Sequence, residues 1–167
     1  MTAPLLNDNI ELHFIGHLQK NKVKKAVRLF DMIQTVDSAS TGEEINKQCE
    51  RIHRIMPVLI EINSGREAQK HGVFPEHARE LVNVLSTLPY IRIEGIMTMG
   101  PFTSNPENAR PYFREAKNCF EQIRTLKFPH VHMSILSMGM TDTYRVAIEE
   151  GANMIRIGNS IFGSRKG

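Results

Sequence analysis

Apolar positions in this chain switch repeatedly between two rhythms. Short runs rich in β-branched residues alternate with segments whose apolar residues return every three or four positions. The runs Glu11–Leu18, Asp31–Asp37, Pro57–Asn63, Ile91–Met99, His130–Met138 and Asn153–Gly158 predict strands. The periodic segments Lys20–Phe30, Glu43–Ile55, Pro75–Leu88, Glu107–Leu126 and Thr141–Glu150 predict helices. In the first helix Val23, Ala26, Val27 and Phe30 mark the buried face, and Pro75 opens the third at an early helical position. Residues 1–10, Ser38–Gly42, the turn Ser64-Gly65-Arg66 and the run GPFTSNP read as loops. Strict alternation implies parallel strands joined by crossover helices, hence an α/β sheet or barrel.

Two features favour a barrel. Strand after strand ends in Gly, Ser, Asn or Thr, which gathers polar loops at one end of the sheet. Neither a GxGxxG nor a GKS/T motif marks a doubly wound nucleotide fold. A (β/α)8 TIM barrel usually takes about 250 residues, and this chain of 167 residues holds six units, about two short. The expectation is a single partial TIM-barrel domain over residues 1–167.

Side-chain faces add candidate chemistry. Val58, Ile60 and Ile62 share one face of the third strand, leaving Glu61 and Asn63 on the axial one. In the last strand Ile155 and Ile157 should meet the helices and Arg156 should point to the axis. A buried arginine needs a carboxylate or a ligand, so Arg156 pairs with Glu61, contacts a bound molecule, or does both. Beside it lie two strand ends rich in small polar residues. Ser137, Gly139, Met140 and Thr141 stand at the end of the fifth strand, and Gly158, Asn159 and Ser160 at the end of the sixth. Such ends make a phosphate cradle of backbone N–H groups and hydroxyls.

Composition narrows the function classes. Hydrophobic content of 41% and charged content of 23% are ordinary for a globular domain. A net charge of +3 does not argue for nucleic acid, and Lys20, Lys22, Lys24 and Lys25 read as a solvated helix face. No apolar run reaches the roughly 18 residues of a membrane span, and the N-terminus lacks signal-peptide character. Cys49 and Cys119 read as reduced thiols of a cytoplasmic protein. His13/His17 and His130/His132 are spaced to share strand faces, but without matching carboxylate or cysteine companions neither pair predicts a metal site. Met97, Met99, Met138 and Met140 read mainly as packing, with Met140 placed to touch a ligand.

The strings HFIGHLQKNK, VLIEINSGREAQKHGV, GIMTMGPF and LSMGMTDTYRVAIEEGANMIRIGNSIFG resemble the pyridoxal phosphate homeostasis proteins, the YggS/PROSC group, over essentially the whole chain. These are relatives of the alanine racemase barrel. The resemblance implies a fold-type III barrel holding pyridoxal 5′-phosphate. Its phosphate would sit on Ser137, Gly139, Met140 or Thr141 and on Gly158, Asn159 and Ser160, with Arg156 facing the pyridine nitrogen. Where the family pattern often has Thr, this chain has Asn159, which still offers a backbone N–H. A guanidinium stays protonated, so it disfavours a protonated ring nitrogen and weakens the cofactor as an electron sink. That is a poor setting for transamination and suits a racemase-like relative or a protein that holds and delivers the cofactor, of which the resemblance implies the second.

Against the family pattern the chain begins at the third strand, without the first strand that carries the Schiff-base lysine. The nine lysines, Lys20, Lys22, Lys24, Lys25, Lys47, Lys70, Lys117, Lys127 and Lys166, all fall on predicted helices or loops, with Lys20 and Lys22 nearest a strand end. The resemblance therefore implies a non-catalytic pyridoxal phosphate carrier with a small-molecule partner and neither nucleic acid nor membrane. The alternatives are a fragment of a racemase-like enzyme and a phosphate-binding barrel remnant. The family is expected to be monomeric. This chain, with open edges at residues 11–18 and 153–158, is expected to dimerise or to need an N-terminal fragment.

Overall fold

The computed structural model describes residues 10–101 and 103–163. Most of the loop expected at residues 1–10, Phe102 and Lys166 lie outside them. Six strands, β1 (His13–Phe14), β2 (Met32–Val36), β3 (Met56–Ile62), β4 (Ile91–Thr98), β5 (Val131–Met140) and β6 (Met154–Arg156), form one sheet in sequential order. Every neighbouring pair is parallel. Helices α1 (Lys20–Leu29), α2 (Ala39–Glu50), α3 (Pro75–Leu85), α4 (Arg110–Arg124) and α5 (Tyr144–Glu149) make the crossovers, and a short α6 (Asn159–Phe162) follows β6. The sheet curls, because Gln34 on β2 reaches Met154 Sδ on β6 at 3.2 Å across the interior.

The main core lies between the sheet and its helices. Val58, Ile60 and Ile62 face it with Ile33, Ile93, Ile96 and Leu136, against Val23 and Val27 of α1, Ile45 of α2, Val82 and Leu85 of α3, and Phe113 and Ile123 of α4. The opposite face of β3 carries Leu59, which joins Met32 and Met97 in a small interior cluster. This is the alternation predicted for β3. Phe30, just past α1, packs edge-on against Phe14 at 5.2 Å and pins the first crossover.

Several boundaries differ from the sequence expectation, each for a local reason. Helix α2 begins at Ala39 rather than Glu43, because Ser38 adopts extended backbone and its hydroxyl accepts from the Thr41 N–H. That helix ends at Glu50, before His53 at φ 50°. A 3₁₀ turn, Pro106–Ala109, precedes α4, with the Asn105 side chain accepting from the Glu107 N–H. Strand β1 keeps two residues of an expected eight, since among the described residues it pairs only with β2. Ile155 and Ile157 are half-buried and line a cleft instead of packing under a helix, because β6 is the other edge.

Candidate functional site

Parallel order puts the carboxyl ends of all six strands on one side, and the polar strand ends meet there. Arg156 on β6 points inward, as its alternation predicts. Its guanidinium donates from Nη1 to Ser137 Oγ at 2.6 Å and from Nη2 to the Thr98 carbonyl at 2.8 Å. The Arg156 Nε–H is buried and has no acceptor. Ser137 Oγ donates in turn to Gln34 Oε1 at 2.7 Å, and Gln34 Nε2 lies 2.9 Å from His13 Nδ1. A chain of polar side chains thus runs from β1 through β2 and β5 to β6, and ends on a β4 carbonyl.

The Arg156–Glu61 ion pair, one of the readings open for Arg156, does not form. Among the described residues Glu61 has no ion-pair partner, and its Oε2 is buried without a hydrogen bond. The guanidinium is occupied by Ser137 and Thr98 instead, so the two groups interact only through their fields. Burial lowers the Arg156 pKa to about 10 while the Glu61 charge opposes the shift, so the guanidinium stays charged at neutral pH. Burial raises the Glu61 pKa to about 7; the Asp37 carboxylate pushes the same way and Arg156 opposes.

The predicted cradle residues divide into two sets. Met140, Thr141, Gly158 and Asn159 line a cleft of about 690 Å3 together with Arg156, His13 and Gln34. Ser137 lies beneath it, wholly buried, with its hydroxyl committed to Gln34 and Arg156; it positions the guanidinium rather than facing the mouth. Gly139 shapes the turn: its φ is +87°, and a Cβ there would stand 2.5 Å from the Ala147 Cβ. The Met140 N–H is taken by Thr143 Oγ1 at 3.2 Å. Ser160 is exposed in the first turn of α6, beside Asn159, where helix N–H groups lack intrahelical acceptors.

A second, smaller cavity of about 270 Å3 adjoins these residues at the ends of β3 and β4, and it adds a lysine to the pocket lining. Lys20 and Lys22 are exposed on α1. Lys70, on the loop after β3, lines this cavity, with its Nζ donating to the Gly100 carbonyl at 2.8 Å and to Glu67 Oε1 at 2.5 Å. Sequence position hid this, because the loop folds back on its own strand: the Val73 N–H donates to the Glu61 carbonyl, and the Asn63 N–H to the Val73 carbonyl. Gln34, Thr98 and Lys70 are the functional candidates that sequence reasoning missed. The one available signal was Gln34 itself, an amide inside an apolar strand.

Comparison with known proteins places this arrangement. The model of the alanine racemase N-terminal domain family matches residues 6–166. The pyridoxal phosphate homeostasis protein of Aquifex aeolicus is 40% identical over 161 residues, covering 95% of this chain and 68% of that protein. Its Haemophilus influenzae counterpart is 38% identical over 157 residues, covering 94% of this chain and 66% of the relative. The chain therefore spans about two thirds of the length of these curated relatives. Among solved structures, PipY of Synechococcus elongatus without PLP superposes with a TM-score of 0.86 at 29% identity, covering 94% of this chain and 73% of that one. PipY with PLP bound superposes at 0.82. With its six parallel strands, inward arginine and polar strand ends, the chain belongs to the alanine racemase N-terminal domain family and, within it, to the pyridoxal phosphate homeostasis proteins.

Proposed function

We propose that this chain holds pyridoxal 5′-phosphate in the cleft beside Arg156, without catalysis, in the intracellular handling of the cofactor. The carrying observation is the Arg156 guanidinium, locked by Ser137 and Thr98 with a buried Nε–H that has no acceptor. A deprotonated pyridine nitrogen is an acceptor of the kind that donor lacks. The chemistry of the other donors also fits the group: Thr141 supplies a hydroxyl, and Gly158, Asn159 and Ser160 supply backbone N–H groups at a helix start, which suit a phosphate dianion. The bound cofactor supplies an aldehyde and an electron-withdrawing ring. Arg156 keeps the ring nitrogen unprotonated and so holds that electron-withdrawing capacity down. Family membership supports the reading, as does the PLP held by PipY.

Absorbance titration of pyridoxal 5′-phosphate tests it. The chain should bind one equivalent, and Arg156→Ala should weaken binding by about 10- to 100-fold, the value of a charge-assisted hydrogen bond. Borohydride treatment followed by peptide mass mapping should find no lysine carrying the cofactor. Unchanged affinity in Arg156→Ala would remove the ring-nitrogen assignment, and a reduced adduct on Lys70 would replace non-covalent holding with covalent attachment.

The same reading includes self-association of the isolated chain. Among the described residues, edge strands β1 and β6 each have one side unpaired, and α6 presents Ile161 and Phe162 at 66% and 86% exposure. Sedimentation velocity should show a concentration-dependent dimer; a monomer across the accessible concentration range contradicts it.

A further inference from the structure

Three successive loops at the carboxyl end of the sheet bring His17, Asp37 and His71 together. One donor atom from each lies within 4.8 Å of the others. His17 follows β1, Asp37 directly follows β2, and His71 lies in the loop after β3. The two imidazoles stack with centroids 3.6 Å apart and planes 10° from parallel, and His71 Nδ1 stands 4.0 Å from Asp37 Oδ2. Neither of the histidine pairs suggested by spacing along strands assembles this group. The structure pairs His17 with His71 instead.

The cluster is built on anchored backbone. Thr35 Oγ1 donates to the Gly16 carbonyl at 2.7 Å, which fixes the loop bearing His17 against β2. The Asn63 side chain donates to the Glu67 carbonyl at 2.9 Å and accepts from the Glu67 N–H at 3.1 Å, so it clasps the loop bearing His71. Gly72, at φ +107°, turns that loop tightly enough that a Cβ would meet the Asn63 nitrogen at 2.7 Å. A separate observation points to a cation at this end of the sheet. The Glu61 carboxylate, 7% exposed, has an unpartnered Oε2 and lines the same cavity as His17 and His71. Three carboxylates, Asp37, Glu61 and Glu67, and two imidazoles thus share one corner. Among the described residues the one lysine or arginine lining the cavity, Lys70, is bonded to Glu67 and the Gly100 carbonyl.

We propose that His17, Asp37 and His71 bind a divalent transition-metal ion of zinc type. Imidazole and carboxylate together suit such an ion better than Mg2+ or Ca2+, which take oxygen ligands. Zinc bonds of about 2.0–2.2 Å set tetrahedral donors roughly 3.3–3.5 Å apart, so donors within 4.8 Å need about an ångström of movement. Both imidazoles are exposed, so modest rotation of their side chains is enough to aim a nitrogen from each stacked ring at one point. Three protein ligands leave one position for water, next to the cavity that holds Glu61. The bound ion ties the loops after β1, β2 and β3 into one rim.

The test uses the whole chain, stripped with chelator and free of cofactor. Zn2+ is titrated in competition with a chromophoric chelator, and Co2+ is added separately to read its visible d–d bands. One equivalent should bind, and four-coordinate cobalt should give intense bands. His17→Ala, His71→Ala and Asp37→Asn should each weaken Zn2+ binding by at least about 10-fold, while His132→Ala, on an exposed strand position away from the cluster, should leave it unchanged. Urea melts in chelator establish that each variant is folded before titration. If a variant fails to fold, the cobalt spectrum of the wild-type chain carries the test through its coordination number. Absence of binding in the wild type overturns the proposal. So does equal binding by the folded His17→Ala and His71→Ala variants, or an octahedral cobalt spectrum.

Discussion

Glu61→Gln should stabilise the chain by about 2–3 kcal/mol above about pH 8 and change nothing near pH 4. The Glu61 carboxyl is 7% exposed, lacks a partner for Oε2, and titrates near 7 in the folded chain against an ordinary value of 4.5. Below the unfolded value both states carry a neutral acid, so no stability difference arises there. As pH climbs between the two values the unfolded state ionises while the folded state must keep its proton, and stability falls. Above the folded value the charge stands in the interior at its full penalty. Glutamine keeps the shape and cannot ionise, so its advantage grows through the window from 4.5 to about 7 and then levels. Urea melts of both proteins across pH, in chelator so that no metal contributes, give the difference directly. A constant offset at all pH values would show that the carboxyl does not titrate high.

Gly95→Ala should destabilise the chain by about 3 kcal/mol, through backbone collision rather than lost packing. A Cβ at Gly95 would sit 1.8 Å from the Ile135 carbonyl oxygen and 2.7 Å from its carbon. These are ladder atoms of the neighbouring strand, so no side chain can turn aside to relieve the clash. The register between β4 and β5 shifts at this point, between Ile93 and Gly95, and the close approach is what the shift requires. Gly158 is the control for stability: nothing lies within 4 Å of its added Cβ and its φ is −117°, so Gly158→Ala should melt with the wild type. Equal urea midpoints for Gly95→Ala and Gly158→Ala would refute the argument.

Much of this architecture was legible along the chain. The face of Val58, Ile60 and Ile62 against that of Leu59 and Glu61 follows from alternation alone, and so does the inward turn of Arg156. The start of α2 was readable in principle, since Ser38 is a good cap, but a Ser/Thr-rich run suits a loop equally well until the Thr41 N–H finds its acceptor. Of the readings open for Arg156, the ion pair with Glu61 fails for a physical reason. Charge complementarity made Glu61 a candidate partner, yet the guanidinium bonds to a serine and a carbonyl on other strands, and nothing local encodes those distances. Lys70 and His71 were equally hidden. Their loop returns to the strand it left because Asn63 holds it and Gly72 turns it, and both residues are unremarkable in isolation. Side chains that depend on one strand's rhythm are predictable; those that depend on how distant loops fold back are not.

Gln34 gives the curled sheet an internal spacer. Its amide meets His13 on one side and Ser137 and Met154 on the other, so it spans from the β1 edge to the β6 edge. In a closed barrel the distance between any two strands is set by backbone pairing. Here one glutamine side chain crosses the interior and touches residues at both ends of the described sheet. A ligand that competes for Ser137 or Arg156 at one end of the sheet therefore competes with a side chain that also touches His13 at the other.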